Sequence, residues 1–146
     1  MRTFYDAVAR IEEHGYVVLR TSSLYDTEPW GGAEGGSFIN AVYEIERHNN
    51  ALQFMQDILS VEADLGRRRS KTIAARSCDL DLLLWANEVI DTPTLCVPHP
   101  RIPERKFVLI PLCELIADCL HPVLKTTFAE LLLACDDLTP VRAHQA

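Results

Sequence analysis

Two aspartates separated by one residue form the most chemically informative pair in the sequence. Asp79 and Asp81 lie in an apolar stretch that is predicted as a strand, so both carboxylates project from one face. Two such charges repel each other unless a cation lies between them, and carboxylate oxygens suit Mg²⁺. The pair therefore predicts a magnesium site, with a solvated face carrying two unrelated acids as the alternative, because this spacing is common.

A basic segment comes immediately before these aspartates. Residues 66–76 hold five of the fourteen lysines and arginines of the chain, namely Arg67, Arg68, Arg69, Lys71 and Arg76. Guanidinium groups match phosphate oxygens in bidentate fashion, and a polyphosphate with Mg²⁺ needs both signs of charge close together. A solvated basic loop is the alternative. The basic segment and the paired acids together indicate a phosphate site better than either part does.

Three further groups of residues have side chains suited to a ligand. His99 and Arg105 lie in a segment stiffened by prolines, where a histidine either contacts phosphate or is structural. Phe38 and Asn40 share one face of a predicted strand, which suits a flat heterocycle but also fits an aromatic core residue beside a strand-face amide. Trp30, in a glycine-rich loop, either covers a ligand or is a hydrophobic plug.

Composition narrows the function classes. The chain has 146 residues and a formal net charge of -7, which argues against a nucleic-acid surface. The N-terminal residues show no signal-type apolar stretch, and the apolar runs are too short to span a bilayer. The five cysteines are spread out without a C-x-x-C pair, which predicts reduced, mostly buried thiols in a cytosolic protein.

The apolar patterns predict alternating helices and strands. The first helix has Phe4, Ala7, Val8 and Ile11 on one face and ends near Gly15. Strands are predicted at residues 16–25, 37–47 and 78–90. A second helix at 51–64, with Leu52, Met55 and Leu59 aligned, is expected to end at Gly66. Two more helices are predicted, one starting at Pro111 and one capped by Thr127 with Glu130.

The order of these residues resembles the hydroxymethyl-dihydropterin pyrophosphokinase family from about Phe4 to about Leu115. The resemblance rests on five ordered motifs: S-x-x-Y-x-T-x-P at 22–29, aromatic-x-N-A at 38–41, E-x-x-x-G-R-x-R at 62–69, R-x-x-D-L-D at 76–81, and P-H-P-R with R-x-F at 98–107. Any one motif alone would be weak evidence, because short motifs match by chance. Five motifs in order are specific.

The resemblance implies a role for each matching residue. Asp79 and Asp81 would hold two Mg²⁺ ions that bridge the ATP phosphates, and Arg67 and Arg76 would be catalytic beside them. The other implied nucleotide-binding positions are Glu62, Arg69, Leu82, His99 and Arg105, and the implied pterin-binding positions are Thr27, Trp30, Phe38, Asn40 and Phe107.

Three features depart from the family pattern. The family begins with a central strand that ends in Gly-Ser-Asn, whereas this sequence starts at the first helix. Ala74 and Ala75 stand where Gly-Pro is frequent, and Glu28 stands where a second proline is common. Without a central strand, we expect unpaired sheet edges and a molten, dimerised or weakly active chain, which an upstream segment ending in Gly-Ser-Asn would rescue.

The expected fold is α+β: a ferredoxin-like antiparallel sheet with helices on one face and no first strand. Residues 1–146 are expected to form a single domain with a tail at 136–146. The expected function is transfer of pyrophosphate from ATP to 6-hydroxymethyl-7,8-dihydropterin in folate biosynthesis. We further expect a cytoplasmic protein, monomeric when the fold is complete, that binds neither nucleic acid nor membrane. The alternatives are a non-catalytic nucleotide- or pterin-binding relative and a small interaction module.

Overall fold

Helices and short antiparallel strands alternate along the chain. The computed structural model describes residues 2–27, 38–69 and 79–145, without the side chains of residues 2, 3 and 67–69. The helices of the described residues are α1 (Arg2–Glu13), α2 (Ala51–Arg69), α3 (Lys106–Ile116) and α4 (Phe128–Ala134). The strands are β1 (Val17–Thr21), β2 (Tyr25–Thr27), β3 (Phe38–Asn40), β4 (Tyr43–Glu46), β5 (Ile90–Asp91), β6 (Cys96–Val97) and β7 (Val141–Ala143).

Every strand pairing in this part of the chain is antiparallel, which confirms the predicted α+β class. The strands form three small sheets with the orders β1-β4, β3-β2-β7 and β5-β6. No helix of the described residues is long and apolar enough to cross a membrane.

Helix α1 forms where the apolar spacing predicts it. Ala7 and Ile11 are buried on its inner face. Gly15 follows the helix with φ +93°, a left-handed conformation that glycine adopts without strain, and its amide donates to the Glu12 carbonyl. The predicted end near Gly15 is confirmed.

Helix α2 is longer than predicted and buries a different face. Its buried residues are Ala51, Phe54, Ile58, Val61 and Leu65. Of the predicted stripe, Met55 is half-buried and packs against the core, whereas Leu52 and Leu59 are exposed. Burial of Leu65 holds the last turns against the core, and a glycine inside a helix costs only about 1 kcal/mol relative to alanine. The helix therefore continues through Gly66, and the expected end there is wrong.

The first two predicted strands are each broken in the middle. Residues 22–24 separate β1 from β2, and residues 41–42 separate β3 from β4. At the break, the Ser22 amide donates to the Val42 carbonyl (2.8 Å), and the Val42 amide donates to Ser22 Oγ (2.9 Å). The serine hydroxyl therefore takes part in the backbone pairing where the two chains change direction. β2 then pairs with β3 and β7 instead of continuing the β1-β4 sheet.

The strand predicted at residues 78–90 is absent from its described part, except at Ile90. A strand needs a row of backbone hydrogen bonds to one neighbouring chain. In residues 79–85 the Leu83 carbonyl accepts from the His99 amide, but the Leu80 amide donates to the Glu62 carboxylate and not to a backbone carbonyl. Apolar side chains hold this segment in place instead. Cys78 lies outside the described residues.

Segment 79–85 runs between two hydrophobic clusters. Leu82 and Trp85 belong to a cluster with α1 and α2, and Leu80 packs against it. Leu83 and Leu84 pack against a second cluster formed by Ile102, Leu109, Leu112 and Phe128. The segment is thereby fixed on both sides by burial.

Helix α3 does not start at Pro111, contrary to the prediction. Pro111 is buried inside a helix that begins at Lys106. As the sixth residue of the helix, Pro111 lies beyond the first turn, and because it has no N–H it removes one intrahelical hydrogen bond. Burial of Leu109 and Leu112 outweighs that loss. The start of α4 is confirmed, since Thr127 and Glu130 form a capping box.

The cysteines are less buried than predicted. Cys96, Cys113 and Cys135 are half-buried free thiols, and Cys119 is exposed. Burial raises the pKa of the Cys113 thiol.

Candidate active site

The two aspartates of segment 79–85 face outward while their neighbours face inward. Asp79 and Asp81 are exposed, and Leu80 and Leu82 pack into the first cluster. This alternation places both carboxylates on the same side of a segment that the core holds still. The site therefore begins with a fixed pair of negative charges.

Glu62 lies directly behind this pair on α2, about two turns before the end of that helix. Its carboxylate accepts a hydrogen bond from the Leu80 amide, which lies between the two aspartates in sequence. Burial raises the pKa of Glu62, and the charges of Asp79 and Asp81 raise it further against the opposing effect of the Leu80 amide. Three acidic groups thus converge, with Glu62 fixing the backbone of the other two.

His99 lies on the other side of segment 79–85. Its amide donates to the Leu83 carbonyl (2.8 Å), and its Nδ1 accepts from the Arg101 amide (3.2 Å). Burial lowers the pKa of His99, and the charges of Arg105 and Arg101 lower it further against Asp81. Because Nδ1 is an acceptor, the neutral ring carries its proton on Nε2. That N–H can donate to an anionic oxygen.

Arg105 connects the acidic pair to an aromatic ring. Its Nη1 lies 4.0 Å from Asp81 Oδ2, and its guanidinium carbon lies 5.7 Å from the centre of the Phe107 ring. An arginine that stacks on a ring and reaches a carboxylate has restricted freedom. Its remaining N–H groups are available to a phosphate.

A second group of polar and aromatic side chains lies on the β3-β2-β7 sheet. The register pairs Thr27 with Phe38 and Tyr25 with Asn40, so all four side chains share one face. Asn40 Nδ2 donates to Thr27 Oγ1 at 2.8 Å, and Phe38 is 48% exposed. This face offers a ring to stack on and an amide with unused hydrogen-bonding capacity.

One cleft of about 1680 Å³ is lined by residues of both groups, although Glu62 and His99 are not among its lining residues. Asp79, Asp81 and Arg105 line it, as do residues of the β2-β3 face and residues of β4. The residues of the predicted site that line this cleft are Thr27, Phe38, Asn40, Asp79, Asp81, Leu82, Arg105 and Phe107. The structure thus brings together charged and aromatic positions that are up to 80 residues apart in sequence.

Several predicted site residues lie outside the described residues. They are Trp30 and Arg76, the side chains of Arg67 and Arg69, and the three departures at Glu28, Ala74 and Ala75. Their roles stay predictions.

Glu114 forms a cluster that the sequence reasoning missed. This α3 carboxylate accepts from the Ser23 amide (3.0 Å), from Ser23 Oγ (3.2 Å) and from the Tyr25 hydroxyl. Burial raises the pKa of Tyr25 to about 12, with a further contribution from Glu114. Burial opposes ionisation of Glu114, but the bonds from Tyr25 and Ser23 outweigh it and lower its pKa. No local spacing connects residues 89 positions apart, so only the fold shows this contact.

Comparison with known proteins identifies the family of this chain. Residues 1–117 match the sequence model of the 7,8-dihydro-6-hydroxymethylpterin-pyrophosphokinase family. The 2-amino-4-hydroxy-6-hydroxymethyldihydropteridine pyrophosphokinase of Bacillus subtilis is 41% identical over 75% of this chain and 66% of its own length. The protein of the same name from Haemophilus influenzae is 34% identical over 72% of this chain and 66% of its own.

A fungal relative is much longer. The folic acid synthesis protein fol1 of Pneumocystis carinii is 32% identical over 93% of this chain but only 19% of its own length. The match therefore spans just under two thirds of each of the two bacterial relatives and a small part of the fungal one. From residues 1–117 and these identities, the chain belongs to the 7,8-dihydro-6-hydroxymethylpterin-pyrophosphokinase family.

Proposed function

We propose that this chain transfers pyrophosphate from ATP to the hydroxymethyl group of 6-hydroxymethyl-7,8-dihydropterin and releases AMP, a step of folate biosynthesis. The observation that carries the proposal is one cleft lined by Asp79, Asp81 and Arg105 and also by Phe38, Asn40 and Phe107. The charged residues, here named the phosphate end, match a polyphosphate with its cation, and the aromatic and amide residues, here named the pterin end, match a flat heterocycle. The names of the relatives describe the same reaction class.

The phosphate end uses His99 and Arg105. The Nε2–H of His99 and the free N–H groups of Arg105 donate to phosphate oxygens, and both residues flank Asp81. Charge-assisted bonds of this kind are about twice as strong as neutral ones. Arg67, Arg69 and Arg76 would add positive charge from the basic segment, while Glu62 and Leu82 would lie along the nucleotide.

The acidic pair fits Mg²⁺. Asp79 and Asp81 supply exposed hard oxygens, and no set of three or more His, Cys, Asp or Glu side chains among the described residues is arranged to hold an ion alone. Mg²⁺ commonly takes only one or two carboxylates and completes its shell with phosphate oxygens and water. With two such ions, ATP would be held by Asp79 and Asp81 through its phosphates. Bound Mg²⁺ supplies charge neutralisation on the phosphates.

The pterin end uses the β2-β3 face and α3. Phe38 and Phe107 would stack on the ring system, and Asn40, positioned by Thr27, would hydrogen-bond its edge. Trp30 would lie at the edge of the pterin.

The reaction needs no covalent intermediate with the protein. The hydroxymethyl oxygen forms a bond to the β-phosphorus while the bond from that phosphorus to the α–β bridging oxygen breaks. The bridging oxygen leaves with AMP, and the hydroxyl proton is released. Because the protein contributes no bond, its side chains act by positioning the two substrates and stabilising charge. Arg67 and Arg76 would be the catalytic cations.

A non-catalytic nucleotide- or pterin-binding relative is the second candidate. The observation in its favour is that the cleft separates residues of β4 from residues 80–87, and segment 79–85 has no ladder partner among the described residues. A less constrained segment would bind ligands without holding the acids for catalysis. We further propose a cytoplasmic location and a monomer.

The test compares Asp79→Asn and Asp81→Asn with the parent in an AMP-release assay. Loss of either charge should lower kcat by about 10²–10³-fold, the scale of removing a transition-state charge contact, while the melting temperature stays close to the parent value. Asp91→Asn is the matched control, because Asp91 is exposed on β5 and has no proposed role.

Each outcome separates the candidates. Turnover near the parent value in both variants would contradict the metal assignment. A parent chain that binds both ligands by calorimetry but forms no AMP would favour the non-catalytic candidate.

A further inference from the structure

The C-terminal residues lie against the cleft, although the family match ends at residue 117. Asp137 and Thr139 line the same cleft as Thr27 and Phe107. We propose that residues 137–144, here named the C-terminal strap, form one wall of the pterin pocket, and that Asp137 and His144 are positioning residues that fasten it. The proposal rests on the proposed function, because it assigns a further part of the same site.

The first fastening point is the start of α3. Asp137 Oδ2 accepts from the Lys106 amide (3.0 Å), and Asp137 Oδ1 accepts from the Thr139 amide (3.0 Å). Arg105, the residue before the helix, makes no side-chain cap. A carboxylate at a helix N-terminus satisfies an otherwise unpaired amide and faces the positive end of the helix. Asp137 therefore caps α3 from 31 residues away.

Electrostatics agrees with this contact. Burial opposes ionisation of Asp137, but the bonds from Thr139 and Lys106 outweigh it and lower the pKa of the carboxyl. Asp137 is thus ionised at neutral pH, as a cap at this position requires.

The second fastening point is β2. β7 pairs with β2 in the register Tyr25 with Ala143, Asp26 with Arg142 and Thr27 with Val141. Beyond the strand, the His144 amide donates to the Leu24 carbonyl (2.8 Å), and His144 Nδ1 lies 2.8 Å from Asp26 Oδ1. The carboxylate accepts, so Nδ1 is the donor. The bonded pair is only partly exposed.

The two fastening points adjoin the two walls of the pocket. Lys106 precedes Phe107 on α3, and Asp26 precedes Thr27 on β2. Because side chains alternate along β2, Asp26 and His144 lie on the face opposite to Thr27 and Asn40. The His144 bond therefore holds β2 without occupying the pocket. The strap fixes the separation between Phe107 and the Thr27–Asn40 pair, which sets the fit of a flat heterocycle.

The experiment uses the full chain with Asp137→Ala and His144→Ala. Each should raise the Kd and KM for the dihydropterin about tenfold or more, corresponding to about 1.4 kcal/mol, and change the Kd for ATP less than twofold. His144→Gln, which keeps a donor, should restore most of the pterin affinity. Leu138→Ala is the matched control, because Leu138 lies between the fastening points and is 92% exposed.

A proteolysis measurement separates positioning from general stability. Trypsin cleaves after Arg142, inside β7. Dihydropterin should slow this cleavage in the parent, ATP alone should not, and both alanine variants should lose the protection. If Asp137→Ala fails to fold, the same measurements on His144→Ala, at the far end of the strap, decide the result.

The proposal would be overturned if Asp137→Ala and His144→Ala lost pterin and ATP affinity equally. It would also be overturned if the parent were active and neither variant changed the pterin affinity. A parent that binds and protects its strap with dihydropterin but releases no AMP would contradict the proposed function and leave the strap in place.

Discussion

Hydrogen-bond partners decide what each polar side chain of the proposed site is able to do. His99 uses Nδ1 for the Arg101 amide, so only Nε2 can reach a phosphate. Asn40 uses one N–H for Thr27, so its carbonyl and second N–H can reach a ligand. In both cases a neighbour from the same region fixes the orientation of the functional atom. Positioning of this kind needs no movement when the ligand binds.

Asn40→Ala should weaken dihydropterin binding about 10–100-fold, because a hydrogen-bonding side chain in the pocket is worth about 1–3 kcal/mol when its partners are left unpaired. The Kd for ATP should stay within twofold of the parent value. Calorimetry with each ligand measures both effects. Asn87→Ala is the control, because Asn87 lines another part of the same cleft. Equal losses for the two ligands would argue against Asn40 as a pterin contact.

At this scale the sequence predicted which residues meet but not how they are held. The motifs indicated Asp79, Asp81, Arg105 and Asn40, and the cleft contains all four. They gave no sign of the bonds from Ser23 and Tyr25 to Glu114, because such contacts depend on how α3 packs against β2.

At the scale of elements, helix α3 connects Phe107 to the β2-β3 face. Phe107 and Glu114 are seven residues apart, close to two helical turns, so they lie on the same face of α3. Phe107 lines the cleft, and Glu114 bonds to the residues that lead into and begin β2. Glu114 therefore fixes the position of Phe107 relative to the β2-β3 face.

Glu114→Gln should lower the free energy of unfolding by about 1–2 kcal/mol at pH 7, since hydrogen bonds to a charged group are lost in a partly exposed site. The pKa of Glu114 is lowered in the folded chain, so its contribution is present above the ordinary glutamate pKa and is lost as the pH falls through the folded value. The difference between parent and variant should thus shrink from pH 6 to pH 3.

Thermal unfolding across that pH range measures the effect. Glu12→Gln, an exposed change on α1, is the control. A difference that stays constant down to pH 3 would show that the Glu114 charge contributes nothing.

Tyr25→Phe adds a second check. The pKa of Tyr25 is raised to about 12 in the folded chain, so the Tyr25 contribution to stability is present below pH 10 and is lost as the pH rises from 10 to 12.

Elements with a local signal were predicted correctly, and those set by tertiary contacts were not. The capping box of Thr127 and the glycine after α1 are local and were confirmed. Pro111 and Gly66 lie inside helices because burial of neighbouring side chains outweighs their local preference. β7 was expected only as a tail, because three residues carry too short a pattern to indicate pairing with β2.

At the scale of the whole molecule, the volume of the cleft is the relevant feature. At about 1680 Å³ it exceeds the roughly 300–1,000 Å³ of a usual small-molecule site. Residues of β4 and residues 79–87 line it, and segment 79–85 runs between the two hydrophobic clusters. The proposed function requires a cleft that accommodates a nucleotide and a second flat ligand together. The sequence predicted the charges and rings but not the size of the space, which depends on how three small sheets are arranged.

The central claim is that both substrates occupy this one cleft in line for attack on the β-phosphorus. The most direct test is product analysis by ³¹P NMR after incubating the chain with ATP, Mg²⁺ and 6-hydroxymethyl-7,8-dihydropterin. We predict AMP and a pterin diphosphate ester in equal amounts, with no product when Mg²⁺ is omitted. Formation of ADP with a pterin monophosphate, or consumption of ATP that does not depend on the pterin, would contradict the account.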